Sequence, residues 1–273
     1  MNKNKLILKN IIAIVTAFIL TFALACLNLC LSGRVISNSD FVKSIITKSD
    51  YVTNAVTEIK EDLSDLAIPS GLPADFFDKK VLPAEVSEMV FSATLYNWNG
   101  EANELDFSSI KESLSNDITA YANENFVSID EETKVAIKTL TEECYKVYLR
   151  YCNPTLLEFL GQTVKLLSKV VNLGIIASFV LLVLTLIFLY RLVDTKNFFF
   201  YSFVSFMGAG LLSGIIPLIL LITNKISHIA ILSKSLYGFL CTFVNSSLFI
   251  VMLFALLFVV ISLLMLFLEL RKK

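Results

Sequence analysis

The stretch FFFYSFVSFMGAGLLSGIIPLILLI, residues 198–222, contains no charged side chain. At about 1.5 Å per helical residue it exceeds the roughly 30 Å hydrocarbon layer of a bilayer. Lipid offers no water to an open backbone, so such a run can cross only as a helix that satisfies its own N–H and C=O groups. Three further uncharged apolar runs, residues 11–31, 170–190 and 242–268, read the same way. The pattern predicts an all-α membrane protein with four transmembrane helices: one early, then three close together after a long interval.

Within 198–222, Gly210 and Gly214 have GxxxG spacing, and Ser205, Ala209 and Ser213 form a neighbouring row of small residues. Such rows let helix backbones approach closely, which predicts a central place for this segment. Its neighbour is a helix of the same chain or of a second copy, and the same chain is the expectation. Pro217 is expected to kink it. Asn28, Asn172 and Asn245 are the strongest polar groups in or beside the runs and are expected to bond between helices. None of the four runs carries Asp, Glu, Lys, Arg or His. The usual proton relay or ion-coupling site is therefore missing.

Charge is segregated along the chain. Residues 32–168 carry 22 acidic and 12 basic side chains, a net of −10, whereas the rest is net +9. Lys3, Lys5 and Lys9, then Arg191 and Lys196, then Arg271, Lys272 and Lys273 flank the runs on what must be one side if all four cross. The positive-inside rule makes that side cytoplasmic. Both termini are then expected inside a cell membrane, with 32–168 outside. Three regions follow: 1–31, a basic tail and first helix; 32–168, an extracytoplasmic α-helical domain; and 169–273, three membrane helices with a short tail. A rival reading takes the first run as a cleaved signal peptide, with Ala23-Leu24-Ala25 before Cys26 as its site. Because 27–31 prolongs the apolar run past that site, an anchor is the favoured reading.

The outer segment reads as a helical bundle. Asp40 and Asp50 each open a helical stretch; after Asp50, Val52, Val56, Ile59, Leu63 and Leu66 mark one face. Pro69, Gly71 and Pro73 end it. A second pattern after Pro83 uses Val86, Met89, Val90, Ala93 and Tyr96, and a third uses Phe107, Ile110, Leu114, Ile118 and Tyr121. Ser128 and Glu131 have capping-box spacing before a seam of Ile137, Leu140, Cys144, Val147 and Tyr151. Asn153-Pro154 predicts a helix start, and the helical pattern then continues to Leu192, about 57 Å if unbroken, with Gly161 and Gly174 as its weak points.

Chemistry-bearing motifs are few. The cysteines at 26, 30, 144, 152 and 241 lack metal-ligand spacing. Cys144 and Cys152 would lie about 12 Å apart on one helix, beyond disulfide reach, so packed free thiols are expected unless the helix breaks between them or Cys30 or Cys241 pairs with one of them. Residues 95–106 approach a calcium loop, but Leu95 stands where its first oxygen ligand belongs, so a polar turn is the better reading. His228 is the only histidine, which excludes His-based triads and multi-histidine sites within one chain. The pairs Glu61-Asp62, Glu131-Glu132 and Glu142-Glu143 point apart on a helix and read as solvated surface. With no glycine-rich phosphate loop or basic aromatic patch, no cofactor, nucleotide or nucleic-acid partner is expected.

The layout of a short basic start, one crossing, a helical outer domain and three closing crossings resembles a class of uncharacterised bacterial membrane proteins. The text that carries the likeness is Ser39-Asp40-Phe41-Val42 followed by Ser49-Asp50-Tyr51-Val52. The same one-plus-three topology looks like the mechanotransmission permeases of the ABC superfamily. That likeness implies coupling to a separate ATPase, for which Arg191 and Lys196 on the short inner connection 191–197 are the candidate residues. The leading expectation is a non-enzymatic envelope protein whose outer helical domain binds a protein partner or senses an external signal. The bilayer and, in one alternative, a second copy of the chain are its other partners.

Overall fold

The structure, a computed structural model, describes residues 3–99, 107–125, 130–223 and 233–271; the side chains of residues 3–6 and of Lys196 lie outside that description. The described residues form α1 (Lys3–Ile36), α2 (Ser39–Lys48), α3 (Tyr51–Ala67), a 3-10 turn (Ile68–Ser70), α4 (Pro83–Asn99), α5 (Ser108–Asn125), α6 (Glu131–Cys152), α7 (Thr155–Leu192), α8 (Thr195–Thr223) and α9 (Lys234–Arg271). No strand occurs among them. Four helices are long and apolar enough to cross a membrane, as a multi-pass membrane protein requires: Ile7–Ile36, Thr155–Leu192, Asn197–Thr223 and Lys234–Arg271.

The described residues divide into two compact units, one drawn from 1–38, 166–229 and 243–273, the other from 39–165 and 230–242. In the first, Ala13, Leu20 and Leu24 of α1 pack with Leu189 of α7, Phe206 and Ala209 of α8 and Phe258 of α9. Phe206 and Phe258 meet edge to face at 5.9 Å. Outward faces are apolar, with Phe18, Leu173 and Ile222 among their most exposed side chains. Such a surface suits hydrocarbon and would be costly in water.

The second unit is a helical module built on α3. Tyr51, Ala55, Val56, Ile59, Leu63 and Ala67 form its buried face, while Val52 and Leu66 are half-buried. The alanines let neighbouring helices close over the stripe, which turns the face slightly from the one that large apolar residues alone predict. In α4, Asn97 and Trp98 are buried, and Tyr96 is 40% exposed. α3 ends where expected: Ala67 and Ile68 carbonyls accept from the amides of Leu72 and Gly71, and Gly71 takes the left-handed conformation that glycine adopts without strain (φ 78°).

α3 and α7 begin where the sequence places them, after Asp50 and after Asn153-Pro154, but the capping groups differ. Asp50 precedes α3 in a left-handed conformation and makes no side-chain cap bond. Ser128 lies outside the described residues; the cap of α6 is Asp130, whose carboxylate accepts from the Thr133 amide at 2.8 Å and the Thr133 hydroxyl at 2.7 Å. These two donors, the hydroxyl foremost, hold the Asp130 carboxyl below the usual carboxylate range. Asn153 closes α6 through its amide, bonded to the Leu149 carbonyl, and its side chain accepts from Asn97 Nδ2 at 2.9 Å; the Pro154 carbonyl accepts the first bonds of α7.

α7 is unbroken for 38 residues. Gly161 and Gly174 do not interrupt it, because each admits a close neighbour. A Cβ at Gly161 would stand 2.8 Å from the carbonyl carbon of Asn97, and one at Gly174 would stand 2.6 Å from Cys30 Sγ.

Candidate functional site

α6 changes character along its length. From Thr141 onward, Cys144, Val147, Tyr148 and Cys152 are buried among α3 and α4. From 131 to 140 no residue is buried. Val135, at 64% exposure, and the half-buried Ile137 and Leu140 lie on a surface bordered by α5 and by the turn at 69–72.

Clefts run along both flanks of the α5–α6 pair, and Ile137 borders each. The larger has a volume of about 830 Å³ and is walled by Lys111, Asn116, Thr119, Lys134, Lys138 and Thr141. The other is about 520 Å³, with Leu72, Ile118, Tyr121, Ala136 and Leu140. Lys111 lies 5.5 Å from the Tyr145 ring centre and bridges to Glu142, and this hydrogen bond lowers the Glu142 carboxyl below its ordinary range. Lys134 pairs with Glu131 at 2.6 Å, whereas Lys138 makes no ion pair among the described residues.

Beyond these clefts several polar groups of the module are paired, whereas the buried Trp98 Nε1 has no partner among the described residues. Asp62 accepts from Arg150 and from the Tyr151 hydroxyl, each at 3.0 Å, so it is not the merely solvated acid that its place beside Glu61 suggests. Burial first, then the Asp62 carboxylate, pushes the Tyr151 phenol up to about 12. All five cysteines are free. Burial pushes the Cys144 and Cys152 thiols up to about 12 each, so at neutral pH they lack the thiolate that nucleophilic chemistry needs. Both are expected to resist alkylation at pH 8 in the folded protein and to react once it is denatured. Modification of either at the rate of a free thiol before unfolding, read by peptide mass, would contradict this packing.

The residues singled out from sequence fall in separate places. Gly210 and Gly214 face α9: a Cβ at Gly210 would stand 2.8 Å from Val259 Cγ2, and one at Gly214 3.1 Å from Ala255 Cβ. The parallel row faces α1. Ser205 Oγ donates to the Ala17 carbonyl at 2.9 Å, Ser213 Oγ accepts from Asn28 Nδ2 at 2.6 Å, and Ala209 is buried between them. α8 continues to Thr223 across Pro217. Asn28 thus bonds between helices, whereas Asn172 is exposed, Asn245 is half-buried, and neither makes a side-chain bond among the described residues. Arg191 is exposed in the last turn of α7 and Lys196 lies in the first turn of α8.

Among the described residues no three His, Cys, Asp or Glu converge as a metal site. Of the calcium-loop reading, Leu95, Asn97 and Asn99 are helical in α4, with Asn97 committed to Asn153, and positions 100–106 lie outside the described residues, as does His228. The exposed half of α6 escaped notice in the sequence because its apolar spacing matches that of its buried half. The one available signal is the acidic and basic residues crowded between the apolar positions there. Comparison with protein-family models, with curated proteins and with solved structures finds no match to this chain.

Proposed function

We propose that this is a non-enzymatic multi-pass protein of the cell membrane, with both termini cytoplasmic and the helical module outside, and that the module docks another protein along the first half of α6. The orientation is supported by the basic residues that flank the apolar runs, Lys3, Lys5 and Lys9 foremost. The docking surface is supported by one observation above all: residues 131–140 leave Val135 exposed and Ile137 and Leu140 half-buried between two clefts, although the same helix buries its apolar positions further on. Apolar anchors beside Lys138, a cation with no ion pair among the described residues, are what a partner helix of opposite charge can use.

A photo-crosslinking side chain placed at Val135 in intact membranes tests this. The expected result is one reproducible crosslinked neighbour, lost when Leu140→Glu is added and absent when the probe sits at Lys79. A crosslinked dimer would identify the partner as a second copy of the chain. A scatter of products insensitive to Leu140→Glu would overturn the docking surface.

A further inference from the structure

Glu58, on α3, is saturated by the start of α9. Its Oε1 accepts from the Lys234 amide at 2.5 Å; its Oε2 accepts from Ser233 Oγ at 3.0 Å, from the Ser235 amide at 3.3 Å and from Ser235 Oγ at 2.5 Å. Ser233 Oγ in turn accepts from the Leu236 amide at 3.3 Å. A helix leaves its first four amides unpaired and carries partial positive charge at that end. A serine next to the first turn meets one of those amides, as caps commonly do. Here a carboxylate 175 residues away meets two more and takes both serine hydroxyls, filling its acceptor capacity.

Two further contacts lie one turn along. A Cβ on Gly238 would stand 3.0 Å from the Ser49 carbonyl oxygen, so the α9 backbone passes directly against the α2–α3 turn. Phe239, fully buried, meets the Tyr51 ring edge to face at 6.0 Å. Tyr51 is fixed from its other end, its hydroxyl donating to the Tyr151 carbonyl at 2.7 Å. Between Ser49 and Tyr51 stands Asp50 with φ 51° and ψ 31°, the one non-glycine residue with positive φ among the described residues. L-residues visit that region at a cost, and they remain there only when their surroundings enforce it.

We infer that the α2–α3 turn and Glu58 form a latch on the first two turns of α9, through which a change in the α2–α3 arm is passed to this helix and the reverse. Charge, close backbone approach and ring packing all converge on residues 233–239, and the strained turn is the element poised to move. α9 is one continuous helix to Arg271, so the latch acts on the start of an apolar, membrane-length segment. The inference does not depend on what docks against α6.

The latch predicts reciprocal coupling, since linkage acts equally in both directions. Hydrogen exchange is to be followed by mass spectrometry on the full chain in lipid nanodiscs. Glu58→Gln puts an amide NH₂ against donor groups and is expected to speed exchange at residues 234–240 about tenfold, the protection lost with a helix cap. Gly238→Ala, acting from the α9 side, is expected to speed exchange at 49–54. α5 and α6 should be unchanged in both. Lys80→Ala, which removes the ion pair with Asp117 and touches neither α3 nor α9, should leave 234–240 unchanged. Should Glu58→Gln not fold, Ser235→Ala removes one donor and is expected to give about a threefold rise over the same residues. No rise at 234–240, or an equal rise throughout the module, would overturn the latch.

Discussion

Gly210→Leu is expected to prevent recovery of a monodisperse folded protein, or to lower its unfolding midpoint far more than any other single change in α8. A Cβ at this position would lie 2.8 Å from Val259 Cγ2, 2.9 Å from the Ala255 carbonyl oxygen and 3.3 Å from the Val259 amide nitrogen. Two of those three atoms are backbone and cannot rotate away, so α8 and α9 must separate. Separation also breaks the Gly214–Ala255 approach and the contact of Ser262 Oγ with Met207 Sδ at 3.9 Å. In lipid no hydrophobic force draws the helices back together, because the tails are as apolar as leucine. Overpacking a close-fitting site costs about 1–3 kcal/mol, more when the obstacle is backbone. Thermal unfolding in detergent, with size-exclusion as the second readout, checks this. Gly208→Ala is the contrast: its Cβ would meet only the Thr21 side chain, the methyl at 3.2 Å and the hydroxyl at 3.6 Å, so a small effect is expected. An unchanged midpoint for Gly210→Leu would show that α8 and α9 do not approach as described.

The second large effect is expected at Gly161. Its missing side chain lets α7 lie against the last turn of α4, where a Cβ would be 2.8 Å from each of three Asn97 atoms: the carbonyl carbon, the carbonyl oxygen and Cβ. Gly161→Leu must push the helices apart, and with them the Asn97–Asn153 hydrogen bond of 2.9 Å. About 1–3 kcal/mol of module stability should be lost. A reporter sits beside the site. Trp98, the only tryptophan, is 4% exposed. Its fluorescence should shift to the red in Gly161→Leu and should report module unfolding at lower denaturant. Emission identical to that of the unmodified protein would refute the contact.

How much was legible beforehand depended on how much contrast each helix carried. α3 mixes charged and apolar residues, so Val56, Ile59 and Leu63 could be assigned to a buried face from spacing alone. α8 is apolar all round. Its small residues announced close packing, but nothing local tells which row meets which neighbour, and the division between α1 and α9 emerges only when the helices are assembled. α6 misled in the opposite way, since one periodic stripe is covered along half its length and open along the rest. At the helix starts, Asp50, Ser128 and Asn153 each had cap chemistry by type. Backbone geometry gave the cap of α6 to Asp130 and turned the Asn153 side chain towards Asn97.

The amino-acid sequence by itself determined that four charge-free stretches must be helices, because an apolar medium leaves the backbone no other way to bond itself. It also determined where α3, α4 and α6 stop, since Pro69, Gly100 and Pro154 each stand within a residue or two of the helix end. Only the tertiary structure decided that Glu58 meets Ser235, that Gly161 meets Asn97 and that Gly210 meets Val259. Those pairs are far apart along the chain and carry no shared local pattern. They exist because particular faces dock, and docking depends on the shape and charge of every helix at once.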